Sequence, residues 1–163
     1  MMLIKYDPKQ DLKNWLRIKQ KNINDFTITK FYPFDKNIEL NQTNFNLIVK
    51  TISLEKIKEF ENQAIKIKQE WEKRENELIK RITDYLNIPF KKINFKVSLT
   101  TAFLMPYDFK DAWFMVPTHK NIQKQFNCIL HELFHFYHLQ KDKTISLKEL
   151  EEEVQKFLMD FHK

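Results

Sequence analysis

The chain of 163 residues contains no glycine. This absence removes functions built on glycine turns. A phosphate-cradling P-loop, a GxGxxG dinucleotide turn and a GxSxG nucleophile elbow all need backbone that only glycine adopts freely. Turns must be made with Asn, Asp and Pro instead. A single cysteine excludes an internal disulfide, which points to a reducing, cytoplasmic compartment. No stretch approaches about 18 uncharged apolar residues, so no membrane-spanning helix is expected. The opening MMLIKYDPKQ also lacks the apolar core of a secretory leader.

What is present is a globular composition: 42% hydrophobic and 14% aromatic, with 15 phenylalanines, enough to build the core of one domain. The net charge is +6, but Lys and Arg are interleaved with Glu and Asp, and no long block carries one sign. Such interleaving reads as solvated helix faces and argues against a nucleic-acid partner.

The most specific feature is HELFH, His131 to His135. Two histidines four apart project from one side of a helix, about 40° apart, so both imidazoles can reach one metal ion. Glu132 is rotated by about 100° and stands beside such an ion, where it can take a proton from a water held there. His-Glu-x-x-His is the helical zinc-binding pattern, and shuffling this composition yields it roughly once in a hundred chains. The flanks, Cys128 to Leu130 and Leu133 to Tyr137, carry no charge apart from the motif itself. In an ordinary core helix each of these polar groups would need its own partner. Cys128 and His138 lie on the same face. Cys128 reads as a small core residue, and His138 as a ligand, a proton donor or a packed histidine. Zinc is the cofactor the pattern implies.

The rest of the chain places this helix in context. Asp11 is expected to cap a short helix bearing Leu12, Trp15 and Leu16. Asp25 to Tyr32 and Asn44 to Ile52 read as strands. Ser53 is a candidate N-cap for a long helix over 53–86, with Ile57, Phe60, Ala64, Ile67, Trp71, Leu78 and Ile82 along one stripe. Strands are expected around Phe95 to Leu104 and over Ala112 to Val116. The motif helix falls within 119–140. A final helix over 146–163 begins with Ser146 and Glu149 in capping-box spacing. The organisation is thus one domain, 1–163. It divides into an N-terminal helix and strands (1–52), the long helix, strands (94–116), the motif helix and a glutamate-rich helix.

A catalytic zinc needs a third protein ligand and an open position. The last helix has the apolar stripe Leu147, Leu150, Val154, Phe157, Leu158 and Phe161. Glu151 and Glu153 border that stripe, while Glu149 and Glu152 point further toward water. HELFH followed by a glutamate-bearing helix resembles the gluzincin group of zinc metallopeptidases. The stretch EEEVQKF is similar to the Glu-Ala-Asn-x-Phe segment of the small ImmA-like metallopeptidases, with Val154 and Gln155 in place of Ala and Asn. The resemblance covers roughly residues 112–163. It implies that Glu153 is the third ligand beside His131 and His135, with Glu151 and Glu152 as alternatives on the same helix, and that the fold is zincin-like. That fold is an α+β domain with a small, mostly antiparallel sheet packed against the long helix and the motif helix.

The activity so implied is zinc-dependent hydrolysis of peptide bonds in a peptide or protein substrate, with Glu132 as general base. Tyr107, His119 and His138 are candidate donors to the developing oxyanion. The resemblance also implies that Ala112 to Val116 is an edge strand to which a peptide could add. The alternative is a catalytically silent, zincin-like metal-binding protein with a regulatory or interaction role. Further rivals are an interaction module built on the long helix and a nucleic-acid binder driven by net charge.

Overall fold

The structure, a computed structural model, describes residues 2–20, 32–102, 105–118 and 121–161. Strand β1, Met2–Tyr6, alternates between buried Met2, Ile4 and Tyr6 and exposed Leu3 and Lys5. Helix α1 follows at Pro8–Gln20 and a short helix α2 at Phe45–Val49. The long helix α3 spans Leu54–Leu86. Strands β2 (Phe95–Thr100), β3 (Tyr107–Asp108) and β4 (Trp113–Pro117) come next. The motif helix α4, Ile122–Lys141, and the terminal helix α5, Leu147–Phe161, complete the order. No helix among the described residues is long and apolar enough to cross a membrane.

The architecture is mixed α and β, with four strands in the order β1-β2-β4-β3. The expectation of a mostly antiparallel sheet is corrected. β1 pairs with β2 in parallel, β2 pairs with β4 in parallel, and only β3 runs antiparallel, against β4. Parallel neighbours need a crossover; here α1 and α3 lie in the β1–β2 connection. Among the described residues β1 and β3 are the edges, and β3 covers β4 over Trp113 and Phe114, so β4 is not a free edge strand along that part.

Phe95, Val97, Leu99, Phe114 and Val116 share the sheet face that packs on α3 and α4. Ring contacts such as Phe95 to Phe136 at 5.1 Å mark that interface. Ser98 and Thr100 face the other way, toward α1. Asp11, expected as a helix cap, is instead fully buried within α1. It accepts from Thr100 Oγ1 (2.7 Å), Thr101 N (2.8 Å), Thr101 Oγ1 (2.7 Å) and Tyr6 Oη (3.0 Å), pinning α1 to the carboxyl end of β2. Burial pushes its carboxyl pKa up while these donors hold it down. Capping falls to Asp7, whose Oδ1 accepts from Lys9 N at 2.9 Å.

The segment Asn44 to Ile52, expected as a strand, contains helix α2. Its buried residues are Phe45, Ile48 and Ile52, while Leu47 is exposed. That three-and-four spacing suits a helix, and a strand would have exposed Ile48 opposite Phe45. The Asp25 to Tyr32 strand lies outside the described residues except for Tyr32, which is not in a strand.

Helix α3 starts where Ser53 Oγ accepts from Lys56 N at 3.2 Å. It ends at Asn87, whose backbone is left-handed at φ 53°. Phe60, Ala64, Ile67, Trp71, Leu78 and Ile82 form its buried stripe. Arg74 leaves the seam by laying its guanidinium over Phe126, 5.6 Å from the ring centroid. A second left-handed residue is Ala112, at φ 47°.

Two stability predictions follow from this frame. Ala112→Gly relieves a left-handed alanine, which costs about 1–2 kcal/mol, at the expense of a more flexible unfolded chain. It should raise the urea midpoint by the equivalent of about 0.5–1 kcal/mol. Asp11→Ala strands buried donors from Tyr6, Thr100 and Thr101 and should cost about 3 kcal/mol in the same assay. An unchanged midpoint would show that the network does not tie α1 to the sheet.

Candidate metal centre

Helix α4 begins where Asn121 Oδ1 accepts from Gln123 N (2.8 Å) and Lys124 N (3.3 Å). Its length is covered on several sides. Phe134 stacks on Phe157 of α5 at 5.0 Å and meets Tyr85 of α3 at 5.7 Å, while Phe136 packs among Phe95, Phe109 and Phe114. These rings fix the rotation of α4 and turn the motif face toward α5.

α5 is held by the expected capping box, in which Ser146 N donates to Glu149 Oε2 (3.1 Å) and Glu149 N donates to Ser146 Oγ (3.3 Å). Glu149 is thereby committed to the cap. Leu150, Val154 and Phe157 are buried against the rest of the molecule. The short connector after Lys141 returns α5 alongside α4.

This packing brings His131, His135 and Glu151 together, with one donor atom from each lying within 4.8 Å of the others. His131 Nε2 is 3.4 Å from Glu151 Oε2, and His135 Nε2 is 3.5 Å from Glu151 Oε1. Two donors each about 2.0–2.1 Å from a tetrahedral zinc stand about 3.3 Å apart, so these separations are close to the edges of a zinc tetrahedron. They are long for a strong hydrogen bond.

The carboxylate beside the imidazoles is that of Glu151, not Glu153. With about 100° per residue, Glu151 and Glu153 lie on opposite borders of the α5 stripe. The direction in which α5 leans on α4 decides which border faces the histidines. Glu153 sits on the other border, paired with Lys156 Nζ at 2.9 Å and hydrogen-bonded to Tyr85. The Lys156 hydrogen bond holds its carboxyl below the usual range.

The electrostatics suit a metal. Burial lowers the pKa of His131, partly opposed by the Glu151 charge. Burial, with His131 and His138 nearby, takes that of His135 down to about 4. Both rings are then neutral near pH 7, the form that offers a lone pair. Neither ring nitrogen of His135, which is 2% exposed, has a hydrogen-bond partner among the described residues. Glu132 is 3% exposed and its Oε2 is likewise unpartnered among them. Burial, and then the Glu151 charge, raises its carboxyl to about 8. The buried pair His135 and Glu132 is short of partners, among the described residues, that a divalent cation and its solvent would supply.

The other residues singled out in the sequence are not among the three grouped donors. His138 is buried with Nδ1 unpartnered among the described residues and its ring 5.8 Å from Phe134. Tyr107 is exposed on β3, 4.5 Å from Phe109. Cys128 is half-buried, its thiol pushed up by burial and by Glu132. His119 and His162 lie outside the described residues. Comparison of the chain with protein families, curated proteins and solved structures returns no match.

Proposed function

We propose that this protein is a zinc-dependent peptidase whose metal is held by His131, His135 and Glu151. The observation that carries the reading is the meeting of those three side chains from two helices, with donor atoms within 4.8 Å of one another and a buried glutamate one residue from the first histidine. Two imidazoles and one carboxylate are the donor set of hydrolytic zinc sites that keep a position open for solvent. A zinc bound there would supply Lewis acidity toward a substrate carbonyl and would acidify a water molecule.

The remaining work falls to the chain. Glu132, desolvated and without a hydrogen bond on Oε2 among the described residues, is placed to accept a proton from the attacking water. It then returns that proton to the departing amine. A zinc bound there would oppose the burial that raises the Glu132 carboxyl pKa and would favour the charged, basic form. Glu151 balances the positive charge, and its exposed flank keeps the site open to solvent (44% of the side chain).

The aromatic packing of Phe134 and Phe136 holds α4 rigid, so the imidazoles stay on helices rather than on loops. An extended substrate that pairs with the sheet would use the outer edge of β3, since β4 is covered on both sides over Trp113 and Phe114. That mode gives main-chain affinity with little side-chain selectivity.

Elemental analysis of the purified protein should find about one zinc per chain. His131→Ala and Glu151→Ala should each weaken zinc binding by at least about tenfold, whereas Glu153→Ala should leave it unchanged. The reverse ranking of the two glutamates would place the ligand on the wrong border of α5. Glu132→Gln should keep its zinc and lose at least about 100-fold in turnover of an unfolded protein substrate. Full turnover in that variant would remove Glu132 from the chemistry. Chelation should abolish activity, and added zinc should restore it.

A further inference from the structure

On the side of α4 turned away from the histidines lies an open cleft of about 610 Å³. Its floor is apolar, formed chiefly by Phe109 and Phe136, whose rings meet at 4.6 Å. Its rim carries four lysines from three separate segments: Lys91 and Lys92 after α3, Lys110 in the β3–β4 turn and Lys143 after α4. No carboxylate lines it. Lys92 has a partner, Glu75 Oε2 at 3.3 Å. Lys91, Lys110 and Lys143 have no ion pair among the described residues, in contrast with several lysines of α3 that pair along the helix. Asp108, whose Oδ1 accepts from Lys110 N (2.8 Å) and Asp111 N (3.2 Å), stands outside the lining, as does Asp142 before Lys143. Asp111 is exposed but lies outside the lining. The rim is tied to the motif helix where Tyr137 Oη donates to the Lys91 carbonyl at 2.6 Å.

We propose that this cleft binds single-stranded nucleic acid, with the lysines on phosphates and the apolar floor under one or two bases. Ammonium groups on flexible stems recognise phosphate as point charges, and the half-buried ring of Phe109, which crosses the buried Phe136 at 66°, offers a base one apolar face. A peptide main chain finds little here, because the one amide side chain in the lining, Gln140, already donates to Phe136 O at 3.4 Å. The overall charge of +6 adds long-range attraction for a polyanion. This proposal is independent of the metal centre, which lies on another face of α4.

The test is fluorescence anisotropy of the full chain with a labelled ten-nucleotide single strand. Neutralising about three or four phosphates predicts a log–log salt slope of about −2 to −3. Lys91→Ala combined with Lys110→Ala and Lys143→Ala should weaken binding at least tenfold. Lys58→Ala with Lys66→Ala, exposed on α3, should change it less than twofold. These are surface substitutions, and circular dichroism checks that each variant is folded. An otherwise identical abasic strand should bind about tenfold more weakly, the stacking share expected from one or two bases. Four results would overturn the proposal: no binding at low salt, equal loss in the α3 control, equal affinity for the abasic strand, or equal competition by a glutamate peptide of matched charge. A nucleoside triphosphate that competes as well as the strand would also overturn it, by replacing the polymer with a free nucleotide.

Discussion

The physical constraint on which the rest turns is the burial of helix α4. Ile129, Leu130, Leu133, Phe134 and Tyr137 are all covered, and Glu132, His135 and His138 are covered with them. A buried polar group without a partner costs about 1–3 kcal/mol. The helix carries several of these at once, all within two turns. The cost is offset by the aromatic contacts that hold α4 from both sides, Phe134 against α3 and α5 and Phe136 against the sheet. Packing that is favourable on the apolar faces therefore holds unfavourable groups in place on the remaining one. This is the arrangement expected where polar groups are kept for binding or chemistry rather than for stability.

Local periodicity explains what was legible in the sequence. The helix pitch alone places His131 and His135 on one face, and the same pitch fixes the buried stripe of α3 and the capping box of α5. The choice between Glu151 and Glu153 was not local. Both border the same stripe, and only the sense in which α5 crosses α4 selects one of them. The family resemblance selected Glu153, and the tertiary packing brings Glu151 instead. Sheet direction was hidden for the same reason, because strand pairing depends on crossovers spanning long stretches of chain. β1 was missed because MLIKY is short and opens the chain, although Met2, Ile4 and Tyr6 alternate cleanly. In α2 the β-branched content of the segment outweighed the three-and-four spacing of Phe45, Ile48 and Ile52, which the fold obeys.

Charge shows the same division between local and tertiary information. Along the chain, lysines and carboxylates alternate, and on α3 they pair at helical spacing as that pattern suggests. Exposed pairs of this kind contribute little to stability and leave no net field. Around the Phe109 and Phe136 floor the fold collects lysines from three places, with no carboxylate among the described lining residues. A local excess of one sign can thus arise from an interleaved sequence, and only the tertiary arrangement makes it visible. One helix consequently separates two unlike environments, a neutral imidazole and carboxylate cluster on one side and a lysine-rich rim, of which Lys92 alone is paired among the described residues, on another.

The lack of glycine bears on how these faces are aligned. Among the described residues, left-handed backbone occurs at Asn87 and Ala112. Asn tolerates that region because its short side chain can bond locally, but alanine has no such compensation. Ala112 stands immediately before β4, and its carbonyl accepts from Lys96 N at 2.9 Å, at the point where β4 begins to pair with β2. The strained residue thus sets the start of the β2–β4 register. That register places Phe114 and Val116 under α4, and through Phe114 it positions Phe136. Strain at the turn before β4 is in this way coupled to the rotation of the helix that carries both histidines. A chain free to use glycine at position 112 could remove the strain, but it would also give the turn more ways to misplace β4.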